Sequence, residues 1–283
     1  MSLIAIGQLT STSSLSHNLT QCRLLISKAA SLGAKALFLP EATDYIASSP
    51  SESLSLCTPT NKSEFVTGLR LEAQKHKLPI HVGIHEPSWT DDPKKKIRNT
   101  VIWIDENGHI VHTYQKVHLF DVDIAGGPVL KESEVVEAGD KVQEVWELEG
   151  VGRVGSLICF DLRFPEISLA LRRKGAEIIT YPSAFTVPTG KAHWEMLLRA
   201  RAIETQSYVV AAAQVGRHNE KRVSYGHSMI VDPWGRIVAE IKNNDEEEHP
   251  EPELATAVID RELLAKVRRE MPLNRRTDVY PEV

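Results

Sequence analysis

Three side chains that can act together in covalent catalysis occur at matching places in this sequence. Each follows the end of a short apolar run that predicts a β-strand: Glu41 after ALFLP, Lys116 after HIVHTYQ, and Cys159 at the end of GSLIC. Because strand ends in α/β sheets present side chains to a common crevice, the three groups are predicted to meet in one cleft. That cleft would hold a carboxylate, an ammonium and a thiol.

These three groups together suit nucleophilic catalysis by a cysteine. A thiol is mostly protonated near neutral pH and needs a base, a role that Glu41 can fill. The Lys116 ammonium would favour the thiolate, and it would also donate to the oxyanion formed when sulfur attacks a carbonyl or nitrile carbon. The backbone N–H of Phe160 is a second candidate donor, because Cys159 is predicted on a sharp strand-to-helix turn like a nucleophile elbow.

Each of these residues, taken alone, also has an ordinary structural interpretation. A cysteine that ends a core strand is usually a small buried apolar side chain. A glutamate beside a proline is commonly a solvated cap, and a lysine after a strand is commonly an exposed charge. Arg163, four residues after Cys159, is placed to hold a substrate carboxylate through two parallel hydrogen bonds, but an ion pair with Glu166 or another acid explains it equally.

The elements that position these residues alternate between strands and helices. Helical spacing from Leu19 to Ala29 ends at Gly33, and a second helix is predicted from an N-cap at Ser63 to residue 76. The Asn107-Gly108 pair predicts a tight hairpin. The other predicted elements are strands at 3–9, 35–39, 79–85 and 153–159, helices at 165–175 and 191–206, strands in SYVVAAA, GHSMIVD, RIVAEI and LATAVI, a solvated acidic loop at 245–248, and a helix from Asp260 to Glu270. This order predicts one α/β domain over residues 1–283, with helices covering a mixed sheet or a pair of sheets.

Composition and charge exclude several classes of protein. The chain has 283 residues, of which 42% are hydrophobic and 25% charged, so it is neither disordered nor fibrous. Lys and Arg number 33 against 38 Asp and Glu, which is the reverse of the basic excess that nucleic-acid binding needs. No run approaches the roughly 18 apolar residues of a membrane span, so no membrane partner is predicted.

The cysteine and histidine patterns also bear on compartment and cofactors. Cys22, Cys57 and Cys159 are too few for a disulfide framework and suit a reducing compartment, and the N-terminus lacks a signal-peptide pattern. A cytoplasmic location is therefore predicted. The sequence contains neither His-Glu-x-x-His nor Cys-x-x-Cys, so no metal or other cofactor is predicted.

The segments around the three candidate groups resemble the Glu-Lys-Cys signature of the nitrilase superfamily of carbon–nitrogen hydrolases. The matching segments are FLPE ending at Glu41, YQKVHLFD around Lys116 and ICFDLRFPE around Cys159. The resemblance covers nearly the whole chain, and over residues 182–235 it is close to the branch that hydrolyses deaminated glutathione. Residues 43–62 match the family pattern least well.

This resemblance implies a fold, an assembly and further site residues. The implied fold is a four-layer α-β-β-α sandwich that associates through its outer helices into a homodimer or a higher homo-oligomer. Glu132 matches a second pocket glutamate that would orient the attacking thiol or water, although a charge on a surface loop is the alternative. Phe185 and Thr189 are implied to face substrate, with loop packing as the alternative. Four residues on the next helix are expected instead to fix that helix to the sheet: His193, Trp194, Arg199 and Arg201.

The predicted activity is that of a cysteine-dependent amidase acting on a small amide that carries a carboxylate. The branch resemblance implies deaminated glutathione as substrate, with 2-oxoglutarate and cysteinylglycine released through a thioester on Cys159. An omega-amidase acting on 2-oxoglutaramate is an alternative with the same chemistry, and a nitrilase or carbamoyl-amide hydrolase is a further one. A non-catalytic interaction module is the alternative from another class, although a scaffold has no physical need for a thiol between two carboxylates.

Overall fold

The computed structural model describes residues 1–88, 96–123, 129–242 and 250–281, so the acidic run predicted as a solvated loop at 245–248 lies outside the described residues. The described residues form six α-helices, namely α1 (Leu15–Ser31), α2 (Pro50–Leu56), α3 (Glu64–His76), α4 (Pro165–Arg173), α5 (Val187–Thr205) and α6 (Arg261–Glu270). The first eight strands are β1 (Ser2–Gln8), β2 (Leu37–Phe38), β3 (Ile80–Pro87), β4 (Ile97–Ile104), β5 (Ile110–Gln115), β6 (Asp121–Asp123), β7 (Val129–Lys131) and β8 (Val136–Glu137). The remaining strands are β9 (Trp146–Leu148), β10 (Gly152–Ser156), β11 (Ile178–Thr180), β12 (Tyr208–Ala211), β13 (Val215–Arg217), β14 (Val223–Tyr225), β15 (Met229–Val231), β16 (Ile237–Glu240) and β17 (Glu253–Ile259). Two 3-10 helices span Glu132–Glu134 and Cys159–Arg163.

The first of two main sheets carries the N-terminal part of the chain and the last strand. Its order is β17-β1-β2-β3-β4-β5, with β8 beside β4. Strands β1, β2 and β3 are parallel, whereas β3, β4 and β5 form antiparallel hairpins. Helices α1 and α3 are N-capped by Ser14 and Ser63, whose hydroxyls accept from backbone N–H groups of the first turn. Their apolar faces pack on this sheet and bury side chains such as Leu25 and Leu69.

The second sheet has the order β16-β15-β12-β11-β10-β9, with β10, β11 and β12 parallel. Helices α4 and α5 cover its outer face, where Trp194 and Leu198 of α5 are buried against strand residues. Helix α4 begins with Pro165 in its first turn, and Gly175 follows its end with a φ of 95°. The positive φ favours glycine because it has no Cβ.

The two sheets face each other through a third apolar cluster, to which helices α1, α3, α4 and α5 contribute no residue. Phe38 and Trp103 from the first sheet pack edge to face with ring centroids 5.3 Å apart, and Val154 and Tyr208 come from the second sheet. The layer order is therefore helix, sheet, sheet, helix, which confirms the four-layer α-β-β-α sandwich. This arrangement places strand ends of both sheets at one rim.

Some elements differ from the sequence prediction. Helix α2 was not predicted, because PSESLSL has no buried residue and hence no amphipathic pattern. Helix α5 starts at Val187 rather than at residue 191, with Pro188 accommodated in its first turn, where no helical N–H is required. Among the helices of the described residues, none combines the length and hydrophobicity needed to cross a bilayer.

Candidate active site

The structure brings Glu41, Lys116 and Cys159 together at the rim where the two sheets meet. Glu41 follows β2 and Lys116 follows β5 of the first sheet, whereas Cys159 follows β10 of the second sheet. The Lys116 Nζ lies 3.0 Å from Glu41 Oε1, and the Cys159 thiol lies within hydrogen-bonding reach of the Glu41 carboxylate. The carboxylate thus contacts both the ammonium and the sulfur.

Lys116 is held between two carboxylates. Its Nζ lies 3.1 and 2.9 Å from the two oxygens of Glu132, in addition to the contact with Glu41. Glu132 begins a short 3-10 helix, and its Oε2 also accepts from the Phe120 N–H at 2.7 Å. Lys116 is 2% exposed, and burial alone would lower its pKa, but the charges of Glu132 and Glu41 outweigh burial and raise the pKa. Lys116 therefore carries a proton throughout the physiological range.

The backbone at Cys159 takes an unusual conformation. Its φ is 46°, in the left-handed region that residues with a Cβ adopt rarely, and its N–H donates to Pro182 O at 3.0 Å. Cys159 also begins the 3-10 helix that leads into α4, so the turn has the strand-to-helix character expected of a nucleophile elbow. The Phe160 N–H lies in the first turn of that helix, where N–H groups have no intrahelical acceptor, and it is therefore available to an oxyanion.

The electrostatics fix the resting protonation state of the pair. Burial and the negative charge of Glu41 raise the pKa of the Cys159 thiol, although Lys116 and the backbone N–H of Ala184 act in the opposite direction. Burial also opposes ionisation of Glu41, but the Lys116 charge and hydrogen bonds from Cys159 and Asn99 hold its pKa below the usual value. The resting pair is a neutral thiol beside an ionised carboxylate. Lys116 does favour the thiolate, as expected, but burial and the Glu41 charge outweigh it, so the thiol proton leaves only as sulfur attacks.

A buried aspartate that the sequence did not single out joins the two sheets beside the site. Asp161 accepts from the Tyr114 hydroxyl at 2.7 Å, from the His118 N–H at 3.0 Å and contacts His118 Nδ1 at 2.8 Å. Its second oxygen also accepts from the Ile158 N–H at 3.0 Å. Since Tyr114 and His118 flank Lys116 while Ile158 precedes Cys159, Asp161 ties the two catalytic segments to each other. Its position two residues after Cys159 is the sequence feature that could have identified Asp161 as part of the site.

A small pocket opens beside Cys159. Its lining residues are Phe120, Cys159, Phe160, Arg163, Ala184, Phe185, Thr186 and Thr189, which include all four predicted substrate-binding residues. The Arg163 guanidinium lies 5.8 Å from the ring centre of Phe160 and 5.7 Å from that of Phe185. Its Nη2 is 3.2 Å from His193 Nδ1. Among the described residues no carboxylate forms an ion pair with Arg163, so the alternative of a structural pair with Glu166 is not observed.

The other predicted residues of helix α5 divide into two groups. Trp194 Nε1 donates to His227 O at 2.7 Å, and Arg201 Nη2 donates to Leu162 O at 2.9 Å. Arg199 Nε similarly donates to Gly235 O at 2.9 Å. These three residues fix the helix, as expected. His193 differs, because it contacts the pocket residue Arg163 rather than the sheet.

The chain is similar to known proteins in both sequence and structure. Residues 3–269 match the model of the carbon-nitrogen hydrolase family. A fission yeast protein, the probable hydrolase nit2 of Schizosaccharomyces pombe, is 47% identical over the full length of both chains. The deaminated glutathione amidase of Homo sapiens is 45% identical over 98% of this chain and 83% of its own. The crystal structure of Saccharomyces cerevisiae Nit3, a member of branch 10 of the nitrilase superfamily, has a TM-score of 0.79 and 32% identity over 97% of this chain and 96% of its own.

Proposed function

This chain belongs to the carbon–nitrogen hydrolase family, and we propose that it is the amidase that hydrolyses deaminated glutathione through a thioester on Cys159. One observation carries the proposal: Cys159 lines the pocket, and its thiol lies within reach of a carboxylate, Glu41, that a buried lysine holds in place. Such a constellation fits acyl transfer, because it supplies a nucleophile, its base and a cation within hydrogen-bonding reach.

The first half of the reaction forms the thioester. The Cys159 sulfur attacks the amide carbon as Glu41 takes the thiol proton, and the carbonyl oxygen becomes an oxyanion. Two donors are placed for that oxygen: the third N–H of Lys116, whose other two face Glu41 and Glu132, and the backbone N–H of Phe160. When the tetrahedral intermediate collapses, the C–N bond breaks and Glu41 returns its proton to the departing amine of cysteinylglycine.

The second half hydrolyses the thioester. Glu41 is again ionised after amine release and accepts a proton from a water that attacks the same carbon. The C–S bond breaks, the proton returns to sulfur, and 2-oxoglutarate leaves. Glu132 contributes by keeping Lys116 directed at the site, because it accepts two of the contacts that fix Nζ.

Recognition of the substrate rests on the residues beyond the sulfur. Arg163 lacks a carboxylate partner among the described side chains, and its guanidinium can hold the carboxylate of the keto-acid half through two parallel hydrogen bonds. The rings of Phe160 and Phe185 flank that guanidinium and limit its rotamers. Thr189, whose hydroxyl is 2.8 Å from that of Thr186, adds a polar group to the pocket wall.

The proposal also covers the assembly and the compartment. Helix α5 exposes Met196 and Ile203 on its outer face, which supports self-association through the outer helices into a homodimer or higher oligomer. All three cysteines, Cys22, Cys57 and Cys159, are free thiols, which supports a reducing compartment such as the cytoplasm.

A substrate panel tests the proposed activity. The purified protein is given deaminated glutathione, 2-oxoglutaramate or a simple aliphatic amide at equal concentration, and release of the keto acid or the amine is followed over time. We expect the highest kcat/KM for deaminated glutathione, with no turnover by the Cys159→Ala variant. A higher kcat/KM for 2-oxoglutaramate would replace the proposal with the omega-amidase alternative. If no amide gave a thioester or turnover, the non-catalytic interaction module would be the remaining interpretation.

A further inference from the structure

Asn99 lies at the centre of the charged half of the site, on strand β4. Its side chain is 3% exposed, and its Nδ2 donates to Glu41 Oε1 at 2.7 Å and to Glu132 Oε1 at 3.2 Å. Its backbone carbonyl accepts from the Lys116 N–H at 2.9 Å. A single strand residue therefore contacts both glutamates and the lysine between them.

The orientation of this amide is determined by its neighbours. Both partners of the Asn99 side chain are carboxylates, which accept hydrogen bonds and donate none when ionised. The NH₂ end of the amide must therefore face them, and the Oδ1 atom is left buried without a hydrogen-bond partner among the described residues. An unpaired buried carbonyl oxygen is unfavourable, so this orientation persists because the contacts with the two carboxylates outweigh that cost.

The charges around the two carboxylates explain why a neutral donor matters there. Glu41 faces the Lys116 ammonium and the Cys159 thiol, and the positive charge of Arg222 acts on it from farther away. Glu132 faces the same ammonium and the Phe120 N–H. Two carboxylates thus share one ammonium in a buried site, and such pairs tend to bind an extra proton between them. A protonated Glu41 could not accept the thiol proton.

We propose that Asn99 is a positioning residue that holds the Glu41 and Glu132 carboxylates apart, so that Glu41 stays available as the base. Its two N–H groups donate one hydrogen bond to each glutamate, and its backbone carbonyl holds the Lys116 N–H. The catalytic meaning of this role rests on the proposed function, but the protonation of Glu41 is a property of the site alone.

The role predicts the direction of a pH shift. Hydrogen bonds to an ionised carboxylate lower its pKa, so their removal raises the pKa of Glu41. The reactivity of Cys159 that depends on ionised Glu41 should then be lost at a higher pH than in the wild type. A shift of about one pH unit is expected, the size that a charge-assisted hydrogen bond typically supports.

Alkylation of Cys159 by iodoacetamide measures this shift without any amide substrate. The rate is followed across pH by mass spectrometry of the peptide that contains Cys159, for the wild type, Asn99→Ala and Asn99→Ser. Thr100→Val is the matched control, because Thr100 is the next residue of β4, is buried, and has a hydroxyl without a partner among the described residues.

We expect the acid limb of the alkylation profile to move up by about one unit in Asn99→Ala, by less in Asn99→Ser, and not at all in Thr100→Val. The serine variant retains one hydroxyl donor and carries the test if the alanine variant does not fold. Superimposable profiles for wild type and the Asn99 variants, or an equal shift in Thr100→Val, would overturn the inference. A shifted profile in a protein that fails to cleave deaminated glutathione would overturn the proposed substrate and leave the role of Asn99 intact.

Discussion

Replacing Lys116 with methionine removes the ammonium that Glu41 and Glu132 share while keeping a side chain of similar length. The lysine is 2% exposed and contacts Glu41 Oε1 at 3.0 Å and Glu132 Oε2 at 2.9 Å. Removing one partner of a buried ion pair leaves an uncompensated buried charge and typically costs about 3–5 kcal/mol. A similar free-energy cost follows if the variant protonates one carboxyl group instead: neutralising a carboxyl group of ordinary pKa 4.5 at pH 7 costs about 3.4 kcal/mol.

Because the loss of stability in Lys116→Met comes from an uncompensated carboxylate, it depends on pH. At pH 5 the cost of protonating that carboxyl group falls to about 0.7 kcal/mol, so the stability difference between Lys116→Met and the wild type should shrink as the pH is lowered. The wild type changes little over this interval, because the pKa of folded Glu41 is lowered and its stabilising contribution is lost only as the pH falls below 4.5 towards the folded value. The variant should also have lost its turnover at both pH values.

Urea unfolding at pH 7 and pH 5, followed by tryptophan fluorescence, measures the free energies of unfolding. Lys75→Met is the matched control, because Lys75 pairs with Glu72 at 3.2 Å on the surface and its removal should cost less than about 1 kcal/mol at either pH. A Lys116→Met variant that is within 1 kcal/mol of the wild type at pH 7, or equally destabilised at both pH values, would refute the reasoning.

Three other substitutions test separate parts of the site. Glu41→Gln removes the base and should lower kcat by about a hundredfold or more, and a smaller loss in a steady-state assay would assign proton transfer elsewhere. Arg163→Lys should raise KM for an acidic amide far more than for its neutral ester, because lysine lacks the planar fork; equal changes in both KM values would make Arg163 structural. Gly83→Ala places a Cβ 2.6 Å from Glu41 Cα, so it should displace the base. We expect kcat to fall at least tenfold in a turnover assay and the free energy of unfolding to fall by about 1–3 kcal/mol in urea. Turnover at the wild-type rate would contradict the close approach.

The strand ends, turn and helix ends that position the site could be predicted, because each leaves a local pattern in the sequence. The apolar runs before Glu41, Lys116 and Cys159 identified strand ends, and the sharp turn at Cys159 matches its φ of 46°. Helix ends at Ser63 and Gly175 were also predictable, since an N-cap hydroxyl and a residue with positive φ leave a direct mark on sequence.

What the sequence did not give are properties that arise only when distant segments meet. Asn99 appears in IRNTVIWI as a polar residue in an apolar strand, and nothing local relates it to Glu41, 58 residues earlier. The contacts of Asp161 with Tyr114 and His118 are likewise long-range. The protonation of Cys159 depends on burial and on a carboxylate from the other sheet, so its raised pKa could not be foreseen from the neighbouring sequence.

The division of the site between two sheets has a consequence for how this protein can be cut or shortened. The sulfur belongs to the second sheet and its base to the first, while β17, near the C-terminus, pairs with β1 along seven residues. Neither half of the polypeptide therefore carries a partial enzyme, and loss of the final strand would uncover the edge of β1. Separation of the two halves would part the nucleophile from its base, so the chemistry requires that both halves stay associated, whether or not the chain between them is intact.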